Sequence, residues 1–130
     1  MSQENVDLVR RGNAAFRRQD WEAMAATFDP EILVRPDRRW PEQGIFGREA
    51  AVAFYQGLAE SGSPDVRIEE TVDLGDRVLA RMRWTFHGGQ SGVAGEQPTS
   101  MIATLRNGLV ILEEFFLEHA EALNALGLEE

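Results

Sequence analysis

The chain has 130 residues, 43% of them hydrophobic, no cysteine and a formal net charge of −9. Such a composition supports a packed core in a single domain, residues 1–130, and excludes disulfides, thiolate nucleophiles and cysteine-held metals. An acidic surface repels phosphate backbones, so nucleic acid is not an expected partner.

Residues 4–18 read as a helix, with Leu8, Val9, Gly12, Ala15 and Phe16 on one apolar stripe. Gly12 is costly inside a helix, and its place on the stripe leaves room for a neighbour or a ligand. Asp20 is suited to cap a short second helix from Trp21 to about Phe28, ended by Asp29-Pro30. Glu31–Arg35 reads as a short strand, followed by a loop, Pro36–Gly47, that holds Trp40. A third helix is predicted over 48–60, burying Ala51, Val52, Tyr55, Leu58 and Ala59, with Gly62 and Pro64 ending it.

The rest of the chain is strand-like. Val66–Leu74 alternates, and Gly75-Asp76 turns the chain into RVLARMRWTFH. There Val78, Ala80, Met82, Trp84 and Phe86 share one face, and Leu79, Arg81, Arg83 and Thr85 the other. The segment HGGQSGVAGEQP reads as a wide hairpin connection; with no helix after its glycines, a phosphate cradle is not expected. TSMIATLR follows, then Asn107-Gly108, a strong signal for a two-residue hairpin turn, then LVILEEFFLEH. The tail reads as a short helix ending in a Schellman cap at Gly127, with Leu128 as its apolar contact. Early helices followed by a run of strands give an α+β fold. The start MSQENVDLVRR lacks the apolar run of a signal peptide, and no apolar stretch is long enough to span a bilayer, so a cytoplasmic protein is expected.

Candidate functional residues follow from the faces. Alternation from Leu109 puts Ile111, Glu113, Phe115 and Leu117 on one side of the last strand, and Leu112, Glu114 and Phe116 on the other. An acid among apolar groups has a raised pKa and can exchange protons near neutrality. A register slip of one residue would make Glu114 the inward acid instead. Phe16, Tyr55, Met82, Trp84, Met101 and Phe115 should line an apolar interior, and Trp40 either caps its mouth or covers a helix end. Asp37, between arginines on the loop, reads either as a surface ion pair or as a second acid–base residue. On the opposite sheet face Leu79, Ile102, Leu112 and Phe116 are apolar among charges, a mix suited to a homodimer interface. His87 and His119 lack the further ligands of a metal site.

Three phrases carry a family resemblance: MSQENVDLVRRGNAAFRRQDWEAM, GIFGREAAVAFYQGL, and GEQPTSMIATLRNGLVILEEFFLEHAEALNALGL together with the hairpin before it. They resemble the SnoaL-like branch of the nuclear-transport-factor-2-like superfamily, in the manner of its small uncharacterised actinobacterial members. The resemblance implies a strongly curved mixed or antiparallel sheet wrapped around three helices, forming a conical cavity. It also implies the inward placing of Glu113, since the family's last strand faces the cavity. Its steroid isomerases use a carboxylate base, a helix-one tyrosine and a late-strand acid. Here those places fall at Pro36 or Asp37, near Gly12 or Asn13, and near Ala103, so the oxyanion-hole pair is missing. Polyketide cyclases of this type need one aspartate, which Asp37 can supply. The arginine of related epoxide hydrolases would be Arg81 or Arg83, which alternation turns outwards. The paired histidines of scytalone-dehydratase-like sites would have to be His87 and His119.

The expectation is a protein that binds a small, mostly apolar molecule in a conical pocket, as a cofactor-free isomerase, cyclase or hydrolase with Glu113 or Asp37 as acid–base residue. The alternative is a non-catalytic binding or protein-interaction module. One fold hosts many chemistries, so no substrate follows.

Overall fold

The computed structural model describes residues 2–61, 64–88 and 93–128. Its elements run α1 (Ser2–Arg17), α2 (Trp21–Ala25), β1 (Phe28–Arg35), β2 (Ile45–Phe46), α3 (Arg48–Glu60), β3 (Asp65–Asp73), β4 (Arg77–Gly88), β5 (Val93–Arg106), β6 (Leu109–Phe116) and α4 (His119–Ala125). The six strands form one sheet in the order β2-β1-β6-β5-β4-β3. All neighbours are antiparallel except β1 and β6, which run parallel. The fold is thus α+β with a mixed sheet.

Local chemistry sets the turns. Asn107 and Gly108 both have positive φ, 53° and 77°, as a type I′ hairpin turn requires. Asp20 accepts a hydrogen bond from the Ala23 amide and caps α2. At the end of α4, Gly127 has φ 74°, and the Leu128 amide reaches back to the Leu123 carbonyl at 2.8 Å, closing the Schellman motif.

The helices α1, α2 and α3 pack on one sheet face. Their apolar stripes meet Val78, Ala80, Met82 and Trp84 of β4 and the matching residues of the other strands in one core. A Cβ on Gly12 would lie 3.3 Å from the Thr27 hydroxyl, so this glycine lets α1 approach the start of β1. The other face carries a second, smaller core. There α4 lays Ala122, Leu123 and Leu126 over Leu79, Ile102 and Phe116. The Ser100 hydroxyl, 2.7 Å from His119 Nδ1, ties the first residue of α4 to the sheet.

Several expectations change. α2 is five residues long, and Phe28 opens β1 rather than closing a helix. Asp29-Pro30 sits inside β1, where pairing with β6 is irregular between Phe28 and Leu33; proline lacks an N–H and fits only such a gap. The loop after β1 contains the two-residue strand β2, paired to Leu33 and Val34, too short to leave a periodic signal. β4 and β5 remain paired as far as Gly88 and Val93, so the wide connection expected over 87–98 is mostly strand; its tip, 89–92, lies outside the described residues. The role expected of Gly62 also lies outside them, as do the side chains of His87 and of the last two residues. Phe86, expected inside, is 37% exposed.

The outer apolar patch needs the largest correction. Leu79 and Ile102 are each 2% exposed because α4 of the same chain covers them, so neither is available to a second copy. Leu112 and Phe116 are half-buried.

Candidate functional site

β6 decides which acid points inwards. Its pairing with β5 shifts between Thr104 and Leu105, leaving Ile111 as an extra residue. That bulge changes the phase of the strand. Val110, not Ile111, joins Glu113 and Phe115 on the helix-covered face. Glu114 points the other way and pairs with Arg35 at 3.5 Å.

Glu113 is 7% exposed. Across the sheet its neighbours are Val34 and Ala103, both fully buried, so no charge compensates it from either side. Ala103 is also where the resemblance expects the late-strand acid, so this chain carries a carboxylate directly opposite that place. From α3, on the stripe of Ala51 and Ala59, Tyr55 donates its hydroxyl to Glu113 Oε1 at 2.5 Å. Burial raises the Glu113 pKa, the Tyr55 hydrogen bond pulls partly back, and the carboxyl settles at about 7. Burial also pushes the Tyr55 hydroxyl well above its usual value, and the adjacent carboxylate adds to that.

Glu113 and Tyr55 line a small inner chamber of about 40 Å³, sixteen residues in all, walled by α1, α3 and the inner face of the sheet. Phe16, Met82, Trp84, Met101 and Phe115 are among them. So is Asn13, whose Oδ1 is buried without a hydrogen-bond partner. A chamber of this size holds about one to three waters or the tip of a ligand.

A second cavity of about 200 Å³ lies next to it, bounded by Trp40, Phe54, Leu58, Phe86 and Leu117 among others. Tyr55, Trp84 and Phe115 line both and form the partition between chamber and mouth. The aromatic rings interlock edge to face: Phe16 lies 5.8 Å from Trp84 and 6.0 Å from Tyr55, and Tyr55 lies 6.4 Å from Phe115. Trp40, 43% exposed, stands at the mouth.

Asp37 lines the mouth, not the chamber. It is 5% exposed, an interior group rather than a surface one. Its Oδ2 accepts from the Leu117 amide at 2.7 Å, its Oδ1 from the Arg39 amide at 2.9 Å, and both oxygens lie 2.9 Å from Arg39 Nη1. Burial works to raise its pKa, but the Leu117 and Arg39 amides and the Arg39 guanidinium outweigh burial and hold it below the usual value. The arginines on either side of Asp37 are consumed in ion pairs: Arg35 reaches Glu114, and Arg38 and Arg39 both reach Glu121 of α4.

The Tyr55–Glu113 pairing was not legible, although both residues were expected inside. The clue available was that each sits at the centre of an apolar stripe. Among the described residues no group of three His, Asp or Glu could hold a metal ion, and no helix is long and apolar enough to cross a membrane.

Known structures share this fold. Bal32a, from a soil-derived mobile gene cassette, aligns with a TM-score of 0.80 and 23% identity over 88% of each chain. A nuclear-transport-factor-2-like protein from Burkholderia xenovorans LB400 gives 0.75 and 24% identity, over 89% of this chain and 90% of the other. A hypothetical protein with a ketosteroid-isomerase-like fold from Catenulispora acidiphila DSM 44928, in complex with trimethylamine, gives 0.75 and 15% identity, over 94% and 93%. At these identities the likeness is one of fold. No curated protein matches the chain. The family model of the SnoaL-like domain matches residues 9–113, most of the chain, and the protein belongs to that family.

Proposed function

We propose that the chain binds a small, mostly apolar molecule across the mouth and the inner chamber, and that Glu113 exchanges a proton with it without a cofactor. One observation carries this reading: a buried carboxyl with a pKa of about 7, in an apolar chamber beside an apolar mouth. Such a group is present in both protonation states near neutrality, as general acid–base catalysis requires. Tyr55 holds Oε1, which leaves Oε2 as the oxygen that meets a ligand. Asp37, kept ionised by two amides and Arg39, is a poor base and is assigned to positioning: it fixes the Arg39 loop against Leu117 at the mouth. The small molecule held by the Catenulispora relative supports a ligand-binding role for this fold.

A second reading, binding without turnover, is favoured by a specific absence. The positions where the resemblance expects an oxyanion-hole pair hold Gly12 or Asn13 and Ala103, and the Tyr55 hydroxyl is already donated to Glu113.

Native mass spectrometry of the purified protein, gently desolvated, tests the shared premise and reads the oligomeric state at once. A co-purified apolar metabolite is the expected result. With that molecule in hand, turnover should be seen at saturating ligand, and Glu113→Gln should abolish it there. Affinity lost with no turnover ever seen would select the second reading. A cavity that takes up neither a metabolite nor any member of an apolar fragment set would overturn both.

A further inference from the structure

The chamber is one-sided in its polar chemistry. From α1, α3 and the strands packed around it, the titratable side chains that reach it are Glu113 and Tyr55; no lysine, arginine or histidine lines it. The hydroxyl and indole donors on its wall are committed. Tyr55 donates to Glu113, Thr27 to the Met24 carbonyl at 2.7 Å, and Trp84 Nε1 to Thr99 at 3.0 Å. What remains free is mostly electron-rich: the second oxygen of Glu113, the unpartnered Oδ1 of Asn13, and the π systems of Phe16, Tyr55, Trp84 and Phe115, with the Asn13 side-chain amide nitrogen as the uncommitted donor. A buried acceptor without a donor is unfavourable, and a carboxylate among rings attracts a cation.

We propose that the chamber receives the protonated amine head of a ligand whose apolar body fills the mouth. This rests on the reading that chamber and mouth form the ligand site, and it names the chemical class of that ligand. Glu113 is the counter-ion, Asn13 Oδ1 accepts one ammonium N–H, and the four rings surround the charge. The volumes agree: about 40 Å³ admits an ammonium or methylammonium-sized head but no ring, and about 200 Å³ admits an aromatic or branched aliphatic body. An anionic head would meet Glu113 and Asn13 Oδ1 with like polarity. The head reaches the chamber past the partition of Tyr55, Trp84 and Phe115. Binding moves a proton: the incoming ammonium drives a protonated Glu113 to ionise, and that proton leaves to solvent. A bound amine therefore holds Glu113 in its basic form.

The test is calorimetric titration of the intact protein with benzylamine and with benzyl alcohol, its neutral counterpart of similar shape. Each is measured about one pH unit above and below the Glu113 value of about 7. Above it, benzylamine should bind about tenfold tighter than benzyl alcohol, with proton release appearing below it as a dependence on buffer ionisation enthalpy. Glu113→Gln should erase the preference for the amine while benzyl alcohol still binds. Should that variant fail to fold, Asn13→Leu removes the unpaired acceptor and no charge, and should weaken benzylamine while sparing benzyl alcohol. Equal affinities above the Glu113 pKa, or an amine preference that survives in Glu113→Gln, would overturn the cation reading and leave the apolar pocket standing. Failure of both probes to bind would overturn the pocket as well.

Discussion

Glu113 in the chamber and Asp37 at the mouth are equally hidden, 7% and 5% exposed, yet their protons behave in opposite ways. Glu113 faces alanine, valine and aromatic rings and accepts one hydrogen bond, from a tyrosine; its pKa rises to about 7. Asp37 accepts two backbone N–H groups and both contacts of one guanidinium, and its pKa falls. Burial raises both. The partners decide the sign. One fold thereby keeps one carboxylate available for proton exchange and spends the other on holding a loop.

The partition between the two regions is where the largest effect lies. Trp84 is 8% exposed, packs on Phe16 and lines both cavities. Trp84→Ala should cost about 3–5 kcal/mol in denaturant unfolding and merge chamber and mouth. A loss under about 1 kcal/mol would mean that the side chain packs nothing.

The two carboxylates should also bracket a pH optimum of stability. Glu113 holds its proton more tightly folded than unfolded, where its value is about 4.5. Its contribution is therefore complete below that value and is lost as pH rises through about 7, for a total of roughly 3 kcal/mol. Asp37 runs the other way: its contribution is present above about 3.8 and is lost as pH falls through its depressed folded value. Urea unfolding across pH 3–8 should show both limbs. Glu113→Gln should flatten the neutral limb and leave the acid limb; the reverse outcome would exchange the two assignments.

Asp37→Ala should cost about 2 kcal/mol, since it leaves the Leu117 and Arg39 donors unpaired. The Glu113 titration, followed by carboxyl NMR, should not move, because Asp37 does not line the chamber. A shift would show that the regions are electrostatically coupled. The smallest effect belongs to Tyr55→Phe, about 1 kcal/mol. It removes the one hydrogen bond that lowers the Glu113 pKa, so that titration should move above about 7; an unchanged or lower value would place the Tyr55 hydroxyl elsewhere.

Much of this architecture was legible in the chain. The third helix over 48–60, the alternation of Val78 to Trp84 and the inward place of Glu113 all came through, the last with help from family resemblance. Irregular backbone defeated the same reasoning. The extra residue at Ile111 moved Val110 inwards, and Pro30 turned out to lie inside a strand, because alternation assumes an unbroken pleat. The outer patch of Leu79 and Ile102 looked unpartnered because α4 comes some twenty to forty residues later.

The sequence by itself determined the elements and their joints. The Asn107-Gly108 turn, the Asp20 cap and the Gly127 helix end depend on atoms a few residues apart, and residue type alone selects their backbone angles. Only the tertiary structure decided which acid is available for chemistry. Tyr55 lies 58 residues from Glu113, and Leu117 lies 80 residues from Asp37. A pKa follows from the solvent excluded and the dipoles gathered around one carboxyl, and the sheet and helices bring those together from distant parts of the chain.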